Sequence, residues 1–209
     1  VAKALAKELN FVFIDSGAMY RAVTLYIQQN QIDINDEKAV STALENIHID
    51  FIPNPEKTQI LLNGTDVSDA IRTMEVSEYV SEVSALKAVR KAMVKQQQEL
   101  GMKRNIVMDG RDIGTTVFPN ADLKIFMTAS PQVRAERRFA ELSAKGEVLT
   151  MEEVKENLSH RDHIDSTREE SPLRQAEDAV VLDNSELNQV EQLNFVIQLV
   201  KDRIALPQS

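Results

Sequence analysis

Four short stretches do most to limit how this chain can fold: FVFID at 11–15, NIVMDG at 105–110, DLKIFMTAS at 122–130 and AVVLDNS at 179–185. Each is a nearly continuous apolar run that ends on small, polar or acidic residues. A strand covered on one face alternates apolar with polar, whereas a strand apolar at successive positions is covered on both. Helical patterns separate the four. Met19, Tyr20, Val23 and Ile27 form a stripe after the first run, Pro131 opens an Arg-, Glu- and Ala-rich segment after the third, and Val190, Leu193, Val196, Ile197 and Val200 mark a final helix. Alternation of this kind predicts an α/β fold, a parallel sheet with helices on both faces. With 209 residues, 43% of them hydrophobic, there is chain enough for that core and for insertions.

Two regions break the rhythm. HIDFIPN, TQILLNG and TDV, between 48 and 67, are short segments separated by turn residues, which predicts a small antiparallel meander; helices are expected to follow at about 75–86 and 88–100. The stretch 134–171 is heavily charged, with Gly146 its only glycine, and reads either as a mobile lid or as a solvated helical hairpin. The expected organisation is a core at 1–34, an inserted domain at 35–100, core again at 101–133, the lid at 134–171, and core at 172–209. In the opening VAKALAKEL, Val1, Ala4, Leu5 and Leu9 have helical spacing, but no Ser, Thr, Asp or Asn stands ahead of them as a cap.

Composition narrows the partners. The formal net charge is −9, from 24 basic and 33 acidic residues, so neither nucleic acid nor an anionic membrane is an expected partner. A bound anion must be met by a local arginine cluster, and Arg134, Arg137, Arg138, Arg161, Arg168 and Arg174 are placed to supply one. The absence of cysteine excludes disulfide and thiolate–metal chemistry. With no signal-peptide pattern, no run of 18 or more apolar residues and no cysteine, a cytoplasmic setting is expected; the chain is also expected to be a monomer. His160 and His163 have a spacing that metal sites use, yet Arg161 between them would repel a cation. The triplets beginning at Asn63 and Asn157 read as a turn and a polar helix face.

In open parallel sheets ligands gather beyond the carboxyl ends of the strands. Those ends supply Asp15, Ser16 and Gly17 from one run and Asp109, Gly110, Arg111 and Asp112 from another. An apolar strand closed by an acid, as in IVMD, is a context in which phosphoryl-transfer proteins hold Mg²⁺; it is equally a common place for Asp to cap a turn. Arg111, between two carboxylates, can aim a fork of donors at a phosphate, or it can form a loop salt bridge. Downstream, Arg161, Asp165 and Arg168 stand at i, i+4 and i+7 on one helical face, suited to a hydroxylated, phosphorylated ligand or to an exposed ion-pair ladder.

Taken in order, DSGAMYRAVTLY at 15–26, SEVSALKAVR at 81–90, VMDGRDIGTTVFPNADLKIFMTAS at 107–130, AERR at 135–138 and RDHIDSTREESPLRQAEDAVVLD at 161–183 resemble the bacterial cytidylate kinases. The resemblance implies a P-loop nucleoside monophosphate kinase-like fold, with a parallel sheet, an inserted α+β monophosphate-binding domain and a helical lid. It implies transfer of the γ-phosphoryl group of ATP to CMP or dCMP with Mg²⁺. Carried over by residue, it implies that Ser81, Arg90 and Asp112 read the cytosine, and that Arg21 and Arg111 hold the acceptor phosphate in a pocket also lined by Ser16 and Tyr20. Arg161 and Asp165 would hold the ribose hydroxyls, with Arg168 bridging towards base and phosphate. Arg134 and Arg138 of the lid would reach the transferring group, with Arg111 also at the reacting phosphate, and Asp109 would meet Mg²⁺ through water.

One departure is large. The 209 residues contain no G-x-x-x-x-G-K-[ST] segment, which the family places immediately before a helix resembling VAKALAKEL, after a first strand. On this reading strand and phosphate cradle are missing from these residues, and the chain by itself is expected to be inactive. The competing expectations are a CMP-binding chain without catalysis and a kinase for another monophosphate such as UMP.

Overall fold

A computed structural model describes residues 1–52 and 58–204, with the side chain of Met74 excepted. Pro53 and Asn54 of the expected meander, and 205–209 of the expected last core segment, lie outside the described residues. Helix α1 (Ala2–Glu8) leads into β1 (Val12–Asp15) and α2 (Ser16–Gln29). Then come α3 (Glu37–Glu45), β2 (Ile49–Ile52), β3 (Gln59–Leu62), β4 (Thr65–Asp66), α4 (Met74–Ala85) and α5 (Lys87–Met102). The remainder is β5 (Ile106–Asp109), β6 (Ile125–Thr128), α6 (Pro131–Ala144), α7 (Met151–Thr167), β7 (Val180–Asp183) and α8 (Gln189–Arg203).

Local chemistry sets most of these boundaries. The Asp15 carboxylate accepts from Ala18 N–H and starts α2; Ser130 with Pro131 at the first position starts α6; reciprocal capping boxes, Thr150 with Glu153 and Asn188 with Glu191, start α7 and α8. Val1 precedes α1 without a side-chain cap. The 48–67 region is the expected meander: β2 pairs antiparallel with β3, and β3 with β4, turning through Asn63 and Gly64 at φ of 51° and 83°. Both residues are left-handed, as a two-residue hairpin turn requires. Helix α6 ends on Gly146, φ 84°, with Glu147 N–H on the Leu142 carbonyl and Gly146 N–H on that of Ser143, a Schellman stop that separates the two helices of the charged hairpin. The DGRDIGTTVFP stretch is not wholly loop, because Ile113–Val117 winds into a single wide helical turn.

The parallel strands are all present, but they pair as two couples. β1 lies parallel to β5, with Val12 opposite Ile106 and Asp15 opposite Asp109, and β6 lies parallel to β7, with Ile125 opposite Val180. Between β5 and β6 runs a cleft of about 1590 Å³, and neither strand has a ladder partner on that side among the described residues. Its walls are largely apolar, including Leu5, Leu9, Val107, Leu123, Ile125, Val196 and Val200. The cores divide accordingly. A large cluster surrounds α2 and joins it to α4, α5 and the meander, whereas a smaller one gathers α1, α8, β6 and β7 around Leu5, Leu182, Val196 and Val200.

The expected stripes hold with two exceptions. Ala4 is exposed while Ala6 is buried, because α1 turns Leu5 and Ala6 inward against β1, β5 and α8. On α8, Val190 is exposed and Gln192 is buried in its stead, since the Gln192 amide bonds the Leu187 carbonyl and the Asn184 side chain. Among the described residues no helix is long and apolar enough to cross a membrane.

Candidate active site

The carboxyl ends of β1 and β5 open onto the cleft, and the two strand exits come close together there. Ser16, at the start of α2, donates Oγ to the Asp109 carbonyl at 2.6 Å. Gly110 follows directly, and a Cβ at that position would collide with Ser16 Oγ and the Ile113 side chain, so the crossing of the two strand exits requires glycine. From this point Arg111 and Asp112 diverge. Asp112 turns inward and is buried; Arg111 turns along the cleft.

Inward, Arg90 and Asp112 form an ion pair at 2.5 Å with each side chain only 2% exposed. Arg90 also donates Nη1 to the Ser84 carbonyl at 3.1 Å and lies 4.6 Å over the centre of the Tyr20 ring. Tyr20, rather than merely lining a phosphate pocket, is thus the floor beneath Arg90. Burial pushes its phenol up to about 12, so the ring keeps its proton. Ser81 stands half-buried one turn back on α4, on the same cleft.

Along the cleft, Asp165 accepts from Arg111 Nε at 2.9 Å and from Arg168 Nη1 at 3.1 Å, while Arg168 Nε donates to the Ser171 carbonyl. Arg161, one turn earlier on α7, shares that face, as the i, i+4, i+7 spacing predicts. Arg21, on α2, donates to Ser77 Oγ at 2.8 Å and to the Ile71 carbonyl at 3.3 Å. Burial first, then the repulsion of Arg161, Arg138 and Arg72, pulls the Arg21 guanidinium below its ordinary range; burial, Arg111 and Arg138 do the same to Arg161. Arginines that depress one another in this way form a site of concentrated positive potential on a chain of net charge −9.

The two lid arginines are otherwise engaged. Arg134 grips Asp162 with both Nη atoms, at 2.6 and 2.8 Å, and Arg138 pairs with Glu141 at 2.8 Å. Arg138 alone among the expected site residues does not line the cleft. Sequence reasoning missed the Asp162 partnership, for which a separation of 28 positions leaves no local signal, and it missed what Arg137 does: both Nη atoms bond Asn184, at 2.7 Å each, tying α6 to the end of β7.

Asp109 is exposed towards the cleft, but the walls around it displace solvent, and burial together with the neighbouring Asp15 carboxylate pushes its carboxyl from 3.8 to about 6, against the pull of Arg111. Two hard carboxylates at paired positions of neighbouring strands, Asp109 only partly offset by Arg111, suit a hydrated divalent cation such as Mg²⁺. The sign of the stability effect follows from linkage. Between about 4 and about 6 the folded state binds more protons than the unfolded one, so this group lowers stability as pH rises through that window. Asp109→Asn is therefore expected to melt above the parent protein at pH 7 and to converge with it at about pH 4 and below; thermal melts across that range, showing a constant gap, would refute the assignment.

Comparison with known proteins bears on this arrangement. A family model described as cytidylate kinase matches residues 1–202. A cytidylate kinase of Phocaeicola vulgatus is 54% identical over 203 residues, covering 95% of this chain and 89% of the relative. One of Bacteroides fragilis is 55% identical over 202 residues, covering 94% and 88%, and one of Flavobacterium johnsoniae is 49% identical over 211 residues, covering 99% and 92%. Identity near one half over nearly the whole of each chain, together with the family match, leads to a single assignment: this chain belongs to the cytidylate kinase family.

Proposed function

We propose that the protein transfers the γ-phosphoryl group of ATP to CMP or dCMP, giving CDP or dCDP in pyrimidine nucleotide metabolism. The observation that carries this reading is the buried Arg90–Asp112 pair on the wall of the cleft that also holds Arg21, Arg111 and Arg161. A buried hydrogen-bonding pair beside a cluster of arginines on one cleft fits a pyrimidine monophosphate. Asp112 accepts from the cytosine amino group, and Arg90 with Ser81 serves N3 and O2. Uracil would turn a carbonyl towards the Asp112 carboxylate, which disfavours it by about 1–3 kcal/mol for each mismatched group.

Arg21 and Arg111 hold the acceptor phosphate beside Ser16, Asp165 with Arg161 holds the ribose hydroxyls, and Arg168 braces Asp165 from behind. No general base is required, because the nucleophile is already a phosphate oxygen; alignment and charge stabilisation suffice. Asp109 would help to hold Mg²⁺, which when bound would neutralise part of the phosphate charge. Arg134 and Arg138 reach the transferring group only by leaving Asp162 and Glu141, so closing the 134–171 lid over the 35–100 domain exchanges carboxylate partners for phosphoryl oxygens.

The donor half is read from the cleft. Two strand edges facing each other across an apolar slot would be completed by a parallel strand, and a phosphate loop leaving that strand would emerge beside Asp109 and the start of α1. We infer that these residues carry the acceptor site and that ATP is held by such a strand and a G-x-x-x-x-G-K-[ST] loop. The test is CDP formation from ATP and CMP. A chain bearing that strand and loop is expected to turn over CMP in preference to UMP and AMP, and the 209 residues alone to give no CDP. Better turnover of UMP or AMP overturns the base assignment; ATP-dependent CDP formation by the 209 residues alone overturns the donor assignment.

A further inference from the structure

Three glutamines stand in a row on α5, and they behave differently. Gln96 bonds the Ile47 carbonyl and Ile49 N–H, tying α5 to the meander, and Gln98 bonds the Val117 carbonyl. Gln97, between them, is 0% exposed, yet neither its amide nitrogen nor its oxygen has a hydrogen-bond partner among the described residues. A buried amide left in this state is a cost that a leucine of similar size would avoid. It lies seven residues after Arg90, hence on the same face of α5, with Met93 between. That face packs on α2, where the Gln97 side chain lies beside the Tyr20 hydroxyl, whose oxygen also has no hydrogen-bond partner among the described residues. Neither group has a competing partner.

We propose that Gln97 and Tyr20 are positioning residues for base recognition: the Gln97 amide holds the Tyr20 hydroxyl, the anchored ring seats the Arg90 guanidinium, and Arg90 with Asp112 is thereby kept in the orientation that separates cytosine from uracil. The Arg90 plane is already tied at two corners, Nη1 to the Ser84 carbonyl and Nη2 to Asp112. What those bonds leave free is rocking about the line joining them, and a ring face beneath the guanidinium opposes that motion only if the ring itself cannot turn. The hydroxyl is the far end of the lever that turns it. Gln97 does not line the cleft, so its effect on a nucleotide passes through Tyr20 and Arg90.

The inference rests on the acceptor-site reading above, and the experiment separates the two. CMP and UMP binding are measured by titration calorimetry on the parent protein, Gln97→Leu, Tyr20→Phe and the double variant, with thermal melts of each. Gln97→Leu and Tyr20→Phe are each expected to weaken CMP binding about tenfold, the cost of a small misplacement of a recognition group, with UMP binding nearly unchanged. The double variant is expected to lose no more than either single one, because both remove the same link. The Gln97→Leu melting point should fall only modestly, since the amide leaves with its own buried polar atoms and only the Tyr20 hydroxyl loses its bond. Parent-like CMP binding in both single variants, or losses that multiply in the double variant, overturns the proposal. A parent protein that binds UMP as tightly as CMP overturns the acceptor-site reading, and this inference with it. If Gln97→Leu fails to fold, Tyr20→Phe decides the matter by the same CMP-to-UMP ratio.

Discussion

Asp112→Ala is expected to weaken CMP binding on the order of a hundredfold and to leave ATP binding nearly untouched in a loop-bearing protein. Two losses add at this position. The cytosine amino group forfeits its acceptor, and Arg90, 1% exposed, forfeits its counter-charge. Removing one member of a buried pair costs about 3–5 kcal/mol, a large part of a typical domain's stability, so a fall in melting temperature accompanies the loss of affinity. Asp112→Asn separates the effects. The amide preserves shape and can still accept from Arg90 Nη2, while its NH₂ group offers uracil O4 the donor that a carboxylate cannot; the variant is expected to stay folded and to move its preference towards UMP. Titrations with CMP, UMP and ATP read all three quantities. Equal losses for CMP and ATP in Asp112→Ala would mark the residue as structural.

Asp165→Ala should make stability depend on anions. Its carboxylate is shared by Arg111 and Arg168, and its removal leaves both beside Arg161 and Arg21, whose guanidinium groups already disfavour their charged forms under burial and mutual repulsion. The two bonds are unequal. The Arg111 side chain is 45% exposed and solvent screens most of its share, whereas Arg168 is 3% exposed, so the cost of about 2–4 kcal/mol falls mainly on Arg168. Millimolar phosphate or sulfate can enter the freed space and replace the missing charge. Melting curves of parent and variant across an anion series should therefore draw together as anion rises, and a gap independent of anion concentration would sink this account of the cluster.

Much of the local architecture is legible in sequence because it depends on neighbours a few residues apart. Asp15 ahead of Ser16, Thr150 three before Glu153, Asn63 followed by Gly64, and the apolar runs ending in Asp are decided by backbone sterics and short-range hydrogen bonds, and each is found where the sequence places it. The residues of the site were also legible individually, through their family resemblance and through the helical spacing of Arg161, Asp165 and Arg168. Their partnerships were not. Arg90 meets Asp112 across 22 positions, Arg134 meets Asp162 across 28, and Arg111 meets Asp165 across 54.

The alternation of four apolar strands with helices, the small antiparallel meander that interrupts them, and the concentration of arginine in an otherwise acidic chain are all written in the order of residues. It is the packing of distant segments that pairs the parallel strands as two couples around an apolar cleft, seats Arg90 on Tyr20, and buries Gln97 beside the Tyr20 hydroxyl while Gln96 and Gln98 bond the meander and the Val117 carbonyl. The physical reason is range. Propensity, capping and periodicity act within a turn or two of chain, whereas the identity of a buried charge's partner, or of the edge a strand leaves open, is settled by which distant segments pack together.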